Sequence, residues 1–481
     1  MTTTDLELCY LTGTEALARF RDGSLSPVEL MHAMIQRAEA LQPHLNAFTD
    51  TYYEQALESA SASEKRYRGG RPRRLEGLPL AIKDELALKG TRRTSSSLVF
   101  RDRVDDKSDV IIDRLLRAGA IPIAKTTTPE FCLLGSCHSR LFGVTPNPWD
   151  LSLTPGGSSG GTGAALAAGM TTLGTGTDIG GSIRIPAAQC GIVGYKPPYG
   201  RNPEVPVFNL DFYSHSGPMT RSVADIALMQ NVISGPHNQD IATLRNRVRL
   251  DVDHVPANLN GWKIAWSMDL GFMEIDRDVE INTIRALETF RSLGAVVEPV
   301  EISWSRDIAH AAHAYWAHNW AATISGLLDS HRDALTDYAI YFIERSRQST
   351  QEDYLRSLEV MVDMYASFGP LMDQYDLFVC PTLATNRIPA EFTWPESEVI
   401  INNRPVMTDE EHWSLTYPFN MLSRCPALAL PSGVGSNGVP TGIQLVARTY
   451  DDRRVIEAGK AFEAAASAIT EWRLDDSLSL S

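Results

Sequence analysis

Short apolar runs broken by glycine begin near Leu75 and recur along the chain from there. Three of them, Leu78–Ile82, Ile121–Ala124 and Ile192–Tyr195, have the length and continuous apolar character of buried strands. Between the first two, Asp109–Arg117 shows the spacing of an amphipathic helix. Because strands that alternate with helices are typical of an α/β layer structure, the pattern predicts a largely parallel or mixed sheet.

The same alternation returns beyond Asn260 and then gives way to helices. Lys263–Trp266 and Val296–Ile302 are predicted strands, and Val279–Leu293 between them is a predicted helix. From Ser305 to Met372 the spacing stays helical, with many aromatic residues and no strand candidate. The remaining predicted elements are a strand at Leu377–Cys380, a hairpin of Ala427–Leu430 and Gly442–Ala447, and a closing helix at Arg453–Ala464.

The N-terminal region is predicted to be a helical layer. Ser26-Pro27-Val28-Glu29 has the form of a capping box with proline at the first helical position, and apolar residues recur at helical spacing from Leu30. With no internal repeat and no long linker, the chain is predicted to form one domain over residues 1–481. Its predicted parts are a helical layer at 1–70, a core at 71–303, a helical cover at 304–375 and a return to the sheet at 376–481.

Composition indicates an acidic globular protein. The formal net charge of −15 over 481 residues disfavours nucleic acid and anionic membranes as partners. The first ten residues carry acidic groups where a secretory signal has positive charge, and the most apolar stretch, Gly163–Gly174, is short and fits a buried helix better than a lipid span. Six scattered cysteines without a zinc-type arrangement favour reduced thiols, a cytoplasmic location and no metal site.

Residues Thr154–Gly161 hold four glycines and two serines directly before an Ala- and Leu-rich helical run at Ala164–Ala168. Such a loop presents backbone N–H groups to an anion or an oxyanion. A phosphate loop is disfavoured because the GKS/T ending is missing, and without a GxGxxG the loop predicts no cofactor. Gly157–Gly161 fits the nucleophile elbow G-x-S-x-G, which would make Ser159 the nucleophile, but proline and polar residues precede it in place of an apolar strand. A flexible linker is the remaining alternative.

A second cluster, Gly174–Pro186, again places glycines before a serine, Ser182. The N–H groups of residues 179–182 are able to turn toward a common point near its hydroxyl. A serine becomes a good nucleophile only when a base removes its proton, and neither cluster contains a histidine. The nearest histidines, His138 and His215, stand in turn-like segments, so an ordinary polar role is the better prediction for both.

Lys83 is the better candidate base. It ends an apolar strand within Gly77–Asp84, at the edge of the core, where loss of hydration disfavours the ammonium ion and is expected to lower the lysine pKa toward neutrality. A lysine in this place is by itself more often a surface residue with a buried stem, so the assignment depends on the two glycine-serine clusters. The SxxK spacing of β-lactamase-like enzymes is absent from every lysine of the chain.

Taken together, the three segments resemble the amidase signature family. They are GLPLAIKD around Lys83, TPGGSSGG around Ser158 and GTDIGGSIRIPAAQCGIVGYKP around Ser182. The resemblance covers most of the chain except the helical 305–375 region, and it implies an α/β fold in which a large mixed β-sheet is flanked by helices on both faces. Further matching segments are Ser216–Asp225, Pro426–Leu428 and Gly438–Val446.

The resemblance also implies a set of catalytic residues. Ser182 is expected to be the nucleophile, Ser158 a bridging serine with a cis peptide bond, and Lys83 the base. The resemblance implies no metal and no cofactor. The other residues that the resemblance assigns are the N–H groups of Ile179, Gly180, Gly181 and Ser182 as the oxyanion hole, Ser159 and Asp178 as supports of the site, and Arg184 as a structural residue.

The predicted activity is hydrolysis of a carboxylic amide through an acyl-enzyme on Ser182. The aromatic helices from Ser305 to Met372 are the expected cover over the substrate, which favours an apolar or aromatic amide, anilide or carbamate as the small-molecule partner. The competing interpretation makes Trp316 and Trp320 ordinary core residues at helical spacing. Esterase or urethanase activity, the glutaminase subunit of a tRNA-dependent amidotransferase, and a non-catalytic binding protein are the alternatives. The assembly state is left open, with a homodimer among the options.

Overall fold

The computed structural model of the chain describes residues 3–204, 208–406 and 413–466. Most of the described strands join one sheet, and two pairs of short strands form separate ribbons. The strands are β1 (Phe48–Thr51), β2 (Pro79–Lys83), β3 (Ile121–Thr126), β4 (His138–Ser139), β5 (Gly143–Val144), β6 (Leu173–Thr177), β7 (Val193–Lys196), β8 (Ser216–Thr220), β9 (Lys263–Trp266), β10 (Val296–Pro299), β11 (Leu377–Pro381), β12 (Val399–Ile401), β13 (Arg404–Val406), β14 (Ala427–Val434) and β15 (Pro440–Val446).

Helices fill the segments between the strands. The predicted capping box starts one of them: the Ser26 hydroxyl accepts from the Glu29 N–H, while the Glu29 carboxylate accepts from the Ser26 N–H. The helices are α1 (Thr3–Cys9), α2 (Gly13–Asp22), α3 (Pro27–Leu45), α4 (Tyr53–Arg68), α5 (Val110–Ala118), α6 (Gly160–Ala167), α7 (Arg184–Cys190), α8 (Val223–Ile233), α9 (Arg277–Ser292), α10 (Asp307–Trp316), α11 (Ala322–Ile324), α12 (Leu327–His331), α13 (Asp337–Gln348), α14 (Gln351–Met372), α15 (Pro418–Met421) and α16 (Asp452–Ala465).

Eleven strands form the main sheet in the order β1-β3-β2-β6-β8-β7-β14-β15-β11-β9-β10. The pairs β2–β3, β2–β6, β9–β10 and β9–β11 are parallel, whereas the centre of the sheet from β6 to β11 pairs antiparallel. The predicted α/β fold with a mixed sheet is therefore confirmed. The predicted hairpin is the β14–β15 pair.

Helices cover both faces of this sheet. Along β14, Leu428 and Leu430 pack in one apolar cluster with residues of α8, α9 and α16, whereas Ala429 between them packs in another cluster with residues of α6 and α7. Because successive side chains of a strand point to opposite faces, these two clusters lie on opposite sides of the sheet. The central strands are consequently buried along almost their whole length.

The sequence pattern did not predict β6, because two of its five residues are glycines. The expected helix over Gly163–Gly174 is wrong in its second half, because α6 ends at Ala167 and β6 begins at Leu173. A Cβ added at Gly174 would lie 2.4 Å from the Thr162 side chain, and one at Gly176 would lie 2.7 Å from that of Met219. Close packing therefore requires glycine at these two positions, although glycine has a low propensity for β-strands.

Two other features bear on the predicted organisation. The N-terminal layer is not purely helical, since β1 from this region joins the edge of the main sheet, whereas residues 304–375 are mostly helical and contain no strand. All six cysteines lie in described residues and none forms a disulfide. Within the described ranges no helix has both the length and the apolar character of a membrane span. The last part of the predicted 376–481 segment, residues 467–481, lies outside the described residues.

Leu428 offers a test of the two-sided packing. It is fully buried in the centre of β14, so Leu428→Ala should lower the free energy of unfolding by about 2 to 5 kcal/mol, because the change leaves a cavity against α16. The measurement is urea unfolding followed by circular dichroism. Val434→Ala at the exposed end of the same strand is the control and should leave the free energy of unfolding nearly unchanged. Equal losses in both variants would contradict the assigned packing.

Candidate active site

Lys83 is the last residue of β2, and its side chain is fully buried. Its Nζ lies 2.7 Å from the Ser158 Oγ and 2.5 Å from the Thr177 Oγ1. The Lys83 N–H donates in addition to the Thr175 hydroxyl on the neighbouring strand β6. Two strands of the sheet thus hold the lysine against the first glycine-serine cluster.

The two glycine-serine clusters face each other. The Gly157–Ser158 peptide bond is cis, as the family resemblance implied. The Ser159 N–H donates to the Ser182 carbonyl oxygen at 3.2 Å, which ties the loop before α6 to the loop after β6. Ser158 is 1% exposed and Ser182 7% exposed, so Ser182 is the serine that a molecule in the adjacent cleft reaches.

The backbone from Asp178 to Ser182 is oriented by contacts to its carbonyl groups. The Ile179 carbonyl oxygen accepts from the Trp316 Nε1 at 3.2 Å, and the Gly180 carbonyl oxygen accepts from the Thr416 hydroxyl at 2.6 Å. In a trans peptide the next N–H points the opposite way, so the N–H groups of Gly180 and Gly181 point away from these partners. Among the described residues, the N–H groups of residues 179–182 have no acceptor.

These two glycines have no room for a side chain. A Cβ on Gly180 would lie 2.7 Å from the Trp316 ring, and one on Gly181 would lie 1.9 Å from the Thr416 hydroxyl oxygen. Gly181 also has a φ of 135°, which side chains rarely adopt. Glycine is therefore required here both by the turn and by the close approach of the residues that bind its carbonyl groups.

A buried ion pair anchors this loop. The Asp178 carboxylate accepts from Nε and Nη2 of Arg184, both at 3.0 Å, and also from the Asn420 side chain and the Ile183 N–H. Burial raises the pKa of Asp178, but the Arg184 guanidinium and these hydrogen bonds outweigh it and hold the pKa well below its usual range. Arg184 donates further to the Thr416 carbonyl oxygen and to Gln444 on β15.

The pKa of Lys83 differs from the value that the sequence predicted. Burial does lower its pKa, but Cys132 and Glu85 raise it by more, so the pKa of Lys83 stands above its ordinary value. The Glu85 carboxylate lies 3.2 Å from the Lys83 Nζ. The expected pKa near neutrality is wrong because an acidic group two residues along the chain turns back toward the lysine.

Neither histidine considered as a base contacts the serines. His138 Nε2 lies 2.9 Å from the Phe392 carbonyl oxygen. Both ring nitrogens of His215 face backbone carbonyl oxygens, and burial together with nearby Lys196 lowers the pKa of His215 to about 3. Both imidazoles are engaged with the backbone, in keeping with the ordinary polar role that the sequence favoured.

A cleft of about 660 Å³ opens over Ser182. The helical cover at 304–375 supplies one side of it, with Trp316 and Trp320 in the lining. Both tryptophans also pack against the apolar core, so each lines the cleft and belongs to the edge of the core. Among the remaining lining residues, His313 and Arg345 carry basic side chains. The others have no charged side chain and are Cys132, Leu133, Leu134, Gly135, Ile179, Gly180, Ile185, Ala317, Ala321 and Phe342.

Comparison with known proteins identifies the family. The family model described as Amidase matches residues 29–456. The chain belongs to the amidase signature family. It is 34% identical over 466 residues to an acylamidase of Rhodococcus erythropolis, with 96% of each chain covered. It is also 32% identical to a subunit of the glutamyl-tRNA(Gln) amidotransferase of Geobacter metallireducens, covering 97% of this chain and 99% of that one.

The solved structures agree with this membership. A bacterial aryl acylamidase of the amidase signature family superposes with a TM-score of 0.88 at 27% identity, covering 96% of this chain and 98% of that chain. The protein is an amidase of this family and hence a hydrolase that acts on amides. Which amide it cleaves depends on the cleft.

Three polar residues of this amidase site escaped the sequence interpretation: Glu85, Cys132 and Thr177. Glu85 and Cys132 stand beside Lys83, and Thr177 donates to the Glu85 carboxylate while it accepts from Lys83. Glu85 does carry a signal in the sequence, because it stands just beyond the predicted strand that ends near Lys83. Thr177 carries less, because it ends β6, a strand that the pattern did not reveal. Cys132 carries none, since it lies in a turn with left-handed backbone angles.

The buried ion pair makes a stability prediction for this amidase. Asp178→Asn should lower the free energy of unfolding by about 3 to 5 kcal/mol, because the buried Arg184 guanidinium then lacks a compensating charge. Thermal and urea unfolding measure the change. The control is Asp113→Asn, which breaks a half-exposed ion pair with Arg117 and should have almost no effect. A loss below about 1 kcal/mol for Asp178→Asn would contradict the anchoring role.

Proposed function

We propose that this amidase hydrolyses an apolar or aromatic carboxylic amide, anilide or carbamate through an acyl-enzyme on Ser182. The observation that carries the proposal is the position of Ser182 on an apolar cleft beside tryptophans, with the Lys83–Ser158 hydrogen bond behind it. The names of the acylamidase and aryl acylamidase relatives favour the same class of substrate. A small molecule is the partner in this proposal.

The proposed cycle begins with proton transfer along the buried residues. Neutral Lys83 accepts a proton from the Ser158 hydroxyl, and Ser158 accepts one from Ser182 while the Ser182 Oγ bonds to the substrate carbonyl carbon. The C–N bond then breaks, and the leaving nitrogen takes the proton that the relay returns. Water attacks the acyl-enzyme along the same relay and regenerates Ser182. The 2.7 Å between Lys83 Nζ and Ser158 Oγ suits transfer in either direction.

The glycine loop supplies the charge stabilisation in this proposal. As Ser182 attacks, the carbonyl oxygen of the substrate becomes an oxyanion, and the N–H groups of Ile179, Gly180, Gly181 and Ser182 are placed to donate to it. Donors of this kind are each worth about 3 to 4 kcal/mol of barrier in comparable enzymes. The carbonyl contacts to Trp316 and Thr416 orient the N–H groups of Gly180 and Gly181 before substrate arrives, so these two donors need no reorganisation during reaction.

Ser182→Ala tests the nucleophile. The variant should lose at least about ten-thousand-fold in kcat/KM on acetanilide and should not be labelled by a fluorophosphonate probe, because the attacking oxygen is gone. Ser159→Ala is the matched control, since Ser159 is the serine that the G-x-S-x-G motif would select; this variant should keep the label. Near wild-type turnover in folded Ser182→Ala, or loss of label in Ser159→Ala alone, would overturn the assignment.

Trp320→Ala tests the aromatic preference. Trp320 lines the cleft, so its removal should lower kcat/KM for acetanilide by about tenfold more than for acetamide, since the phenyl ring loses its apolar contact. Comparing the ratio of the two kcat/KM values between the variant and the wild type cancels the different intrinsic reactivities of the substrates. An unchanged ratio would show that the aromatic part of the substrate binds elsewhere.

A second candidate function comes from the amidotransferase relatives. Sequence identities of 32% and 30% to two of these amidotransferase chains keep glutaminase activity open for this protein. The apolar lining of the cleft favours a larger, less polar amide over glutamine. Ammonia release from glutamine, or copurification with partner chains, would favour the glutaminase. Ester and urethane hydrolysis share the acyl-enzyme route and are measured in the same screen, with mass spectrometry of the trapped acyl-enzyme.

A further inference from the structure

Glu85 joins Lys83 in a closed arrangement of polar groups. Its Oε2 lies 3.2 Å from the Lys83 Nζ, and the Thr177 hydroxyl accepts from the same Nζ while it donates to the same carboxylate. Lys83 thus has the serine relay on one side and a carboxylate on the other. Among the described residues, Glu85 is the only carboxylate within 4.0 Å of the lysine nitrogen.

The two partners differ in their access to water. The Lys83 side chain is completely buried, whereas that of Glu85 is 21% exposed. A second cavity of about 890 Å³ accounts for the difference, because Glu85 and Thr177 line it and Ser182 does not. Glu85 therefore keeps part of its hydration, which favours the charged carboxylate, and this charge in turn compensates the buried ammonium ion.

The other ionisable groups near this pair do not take over its role. Burial raises the pKa of Cys132 to about 12, so this thiol is neutral around pH 7. Asp84, next along the chain, pairs with Lys125 and accepts from Thr94 instead. Burial raises the pKa of Glu204 in the second cavity to about 8. The charged or titratable residues that line this cavity besides Glu85 are Arg93, Arg103, Asp109 and Glu204.

We propose that Glu85 is a positioning residue that holds Lys83 as an ammonium ion in the resting enzyme, so that this amidase reaches full activity only in alkaline solution. The inference rests on the proposed function, since it concerns the base of the Ser182 relay. Glu85 touches no reacting atom and acts through Lys83 alone.

The expected pH dependence follows from the directions of the pKa shifts. Burial lowers the pKa of Lys83, but the pKa stands above its ordinary value, and around pH 7 the raising charge is that of Glu85 because the Cys132 thiol is neutral. The relay needs the neutral amine. Reactivity of Ser182 should therefore rise with pH, by about tenfold per unit, through the neutral range. Because the Cys132 thiol is uncharged around pH 7, removing the Glu85 charge leaves no neighbouring anion to oppose the effect of burial. The pKa of Lys83 then falls, and the rise in reactivity moves to lower pH.

The experiment measures the rate of fluorophosphonate labelling of Ser182 between pH 6 and 10 in the full-length protein. Glu85→Gln keeps the shape and hydrogen bonds of the side chain and removes its charge, so its profile should move down by about one to three pH units. At pH 7 the variant should label at least about tenfold faster than the wild type. Glu204→Gln is the matched control: it makes the same carboxyl-to-amide change in the same cavity, away from Lys83, and should leave the profile unchanged.

The possible outcomes test the role of Glu85 and the proposed nucleophile separately. A Glu85→Gln profile that coincides with the wild-type profile, or a Glu204→Gln profile that moves as far, would overturn the role of Glu85. If Glu85→Gln does not fold, the wild-type profile decides alone, because a plateau already reached below pH 8 contradicts a protonated resting lysine. Absence of labelling at every pH in the wild type would overturn the proposed nucleophile itself, which separates the failure of the function from the failure of the inference.

Discussion

The arrangement of the site depends on one buried ion pair, Asp178 with Arg184. Asp178 follows β6 and Arg184 starts α7, so the pair closes the short loop that carries Ser182. Buried ion pairs stabilise a fold only when every charge finds hydrogen-bond partners. Here Arg184 also reaches the Gln444 side chain of β15 and the Thr416 carbonyl oxygen, and these contacts fix the loop relative to segments more than 200 residues away in the sequence.

Glycines allow the rest of the chain to approach that loop. A Cβ on Gly157 would lie 2.2 Å from the Ser136 carbonyl oxygen, and one on Gly217 would lie 2.2 Å from that of Tyr195. The backbone therefore packs directly against backbone around the two serines, with no side chain between. Such contacts leave little freedom for adjustment, which suits a site in which small displacements of the reacting groups are costly.

The sequence was most informative where one physical signal was sufficient. Continuous apolar runs located β2, β3, β7 and β9 because burial on both faces leaves a simple pattern. The pattern could not locate β6, whose glycines are set by packing against Thr162 and Met219, residues near in space and not in the local sequence. Lys83 could be singled out because it follows such a run, but its charge state could not, since that state depends on which way the Glu85 side chain turns.

The helical cover contributes more than the wall of a cavity. Trp316 lies in the cleft lining and at the same time donates to the Ile179 carbonyl oxygen, whereas Trp320 shares the lining and, within the described part of the chain, has no such bond to the glycine loop. Selectivity and rate are consequently inseparable at Trp316 and separable at Trp320. In a protein built this way, substitutions at Trp320 can change the substrate range and leave the glycine loop in place. Substitutions at Trp316 would also disturb the loop that carries Ser182.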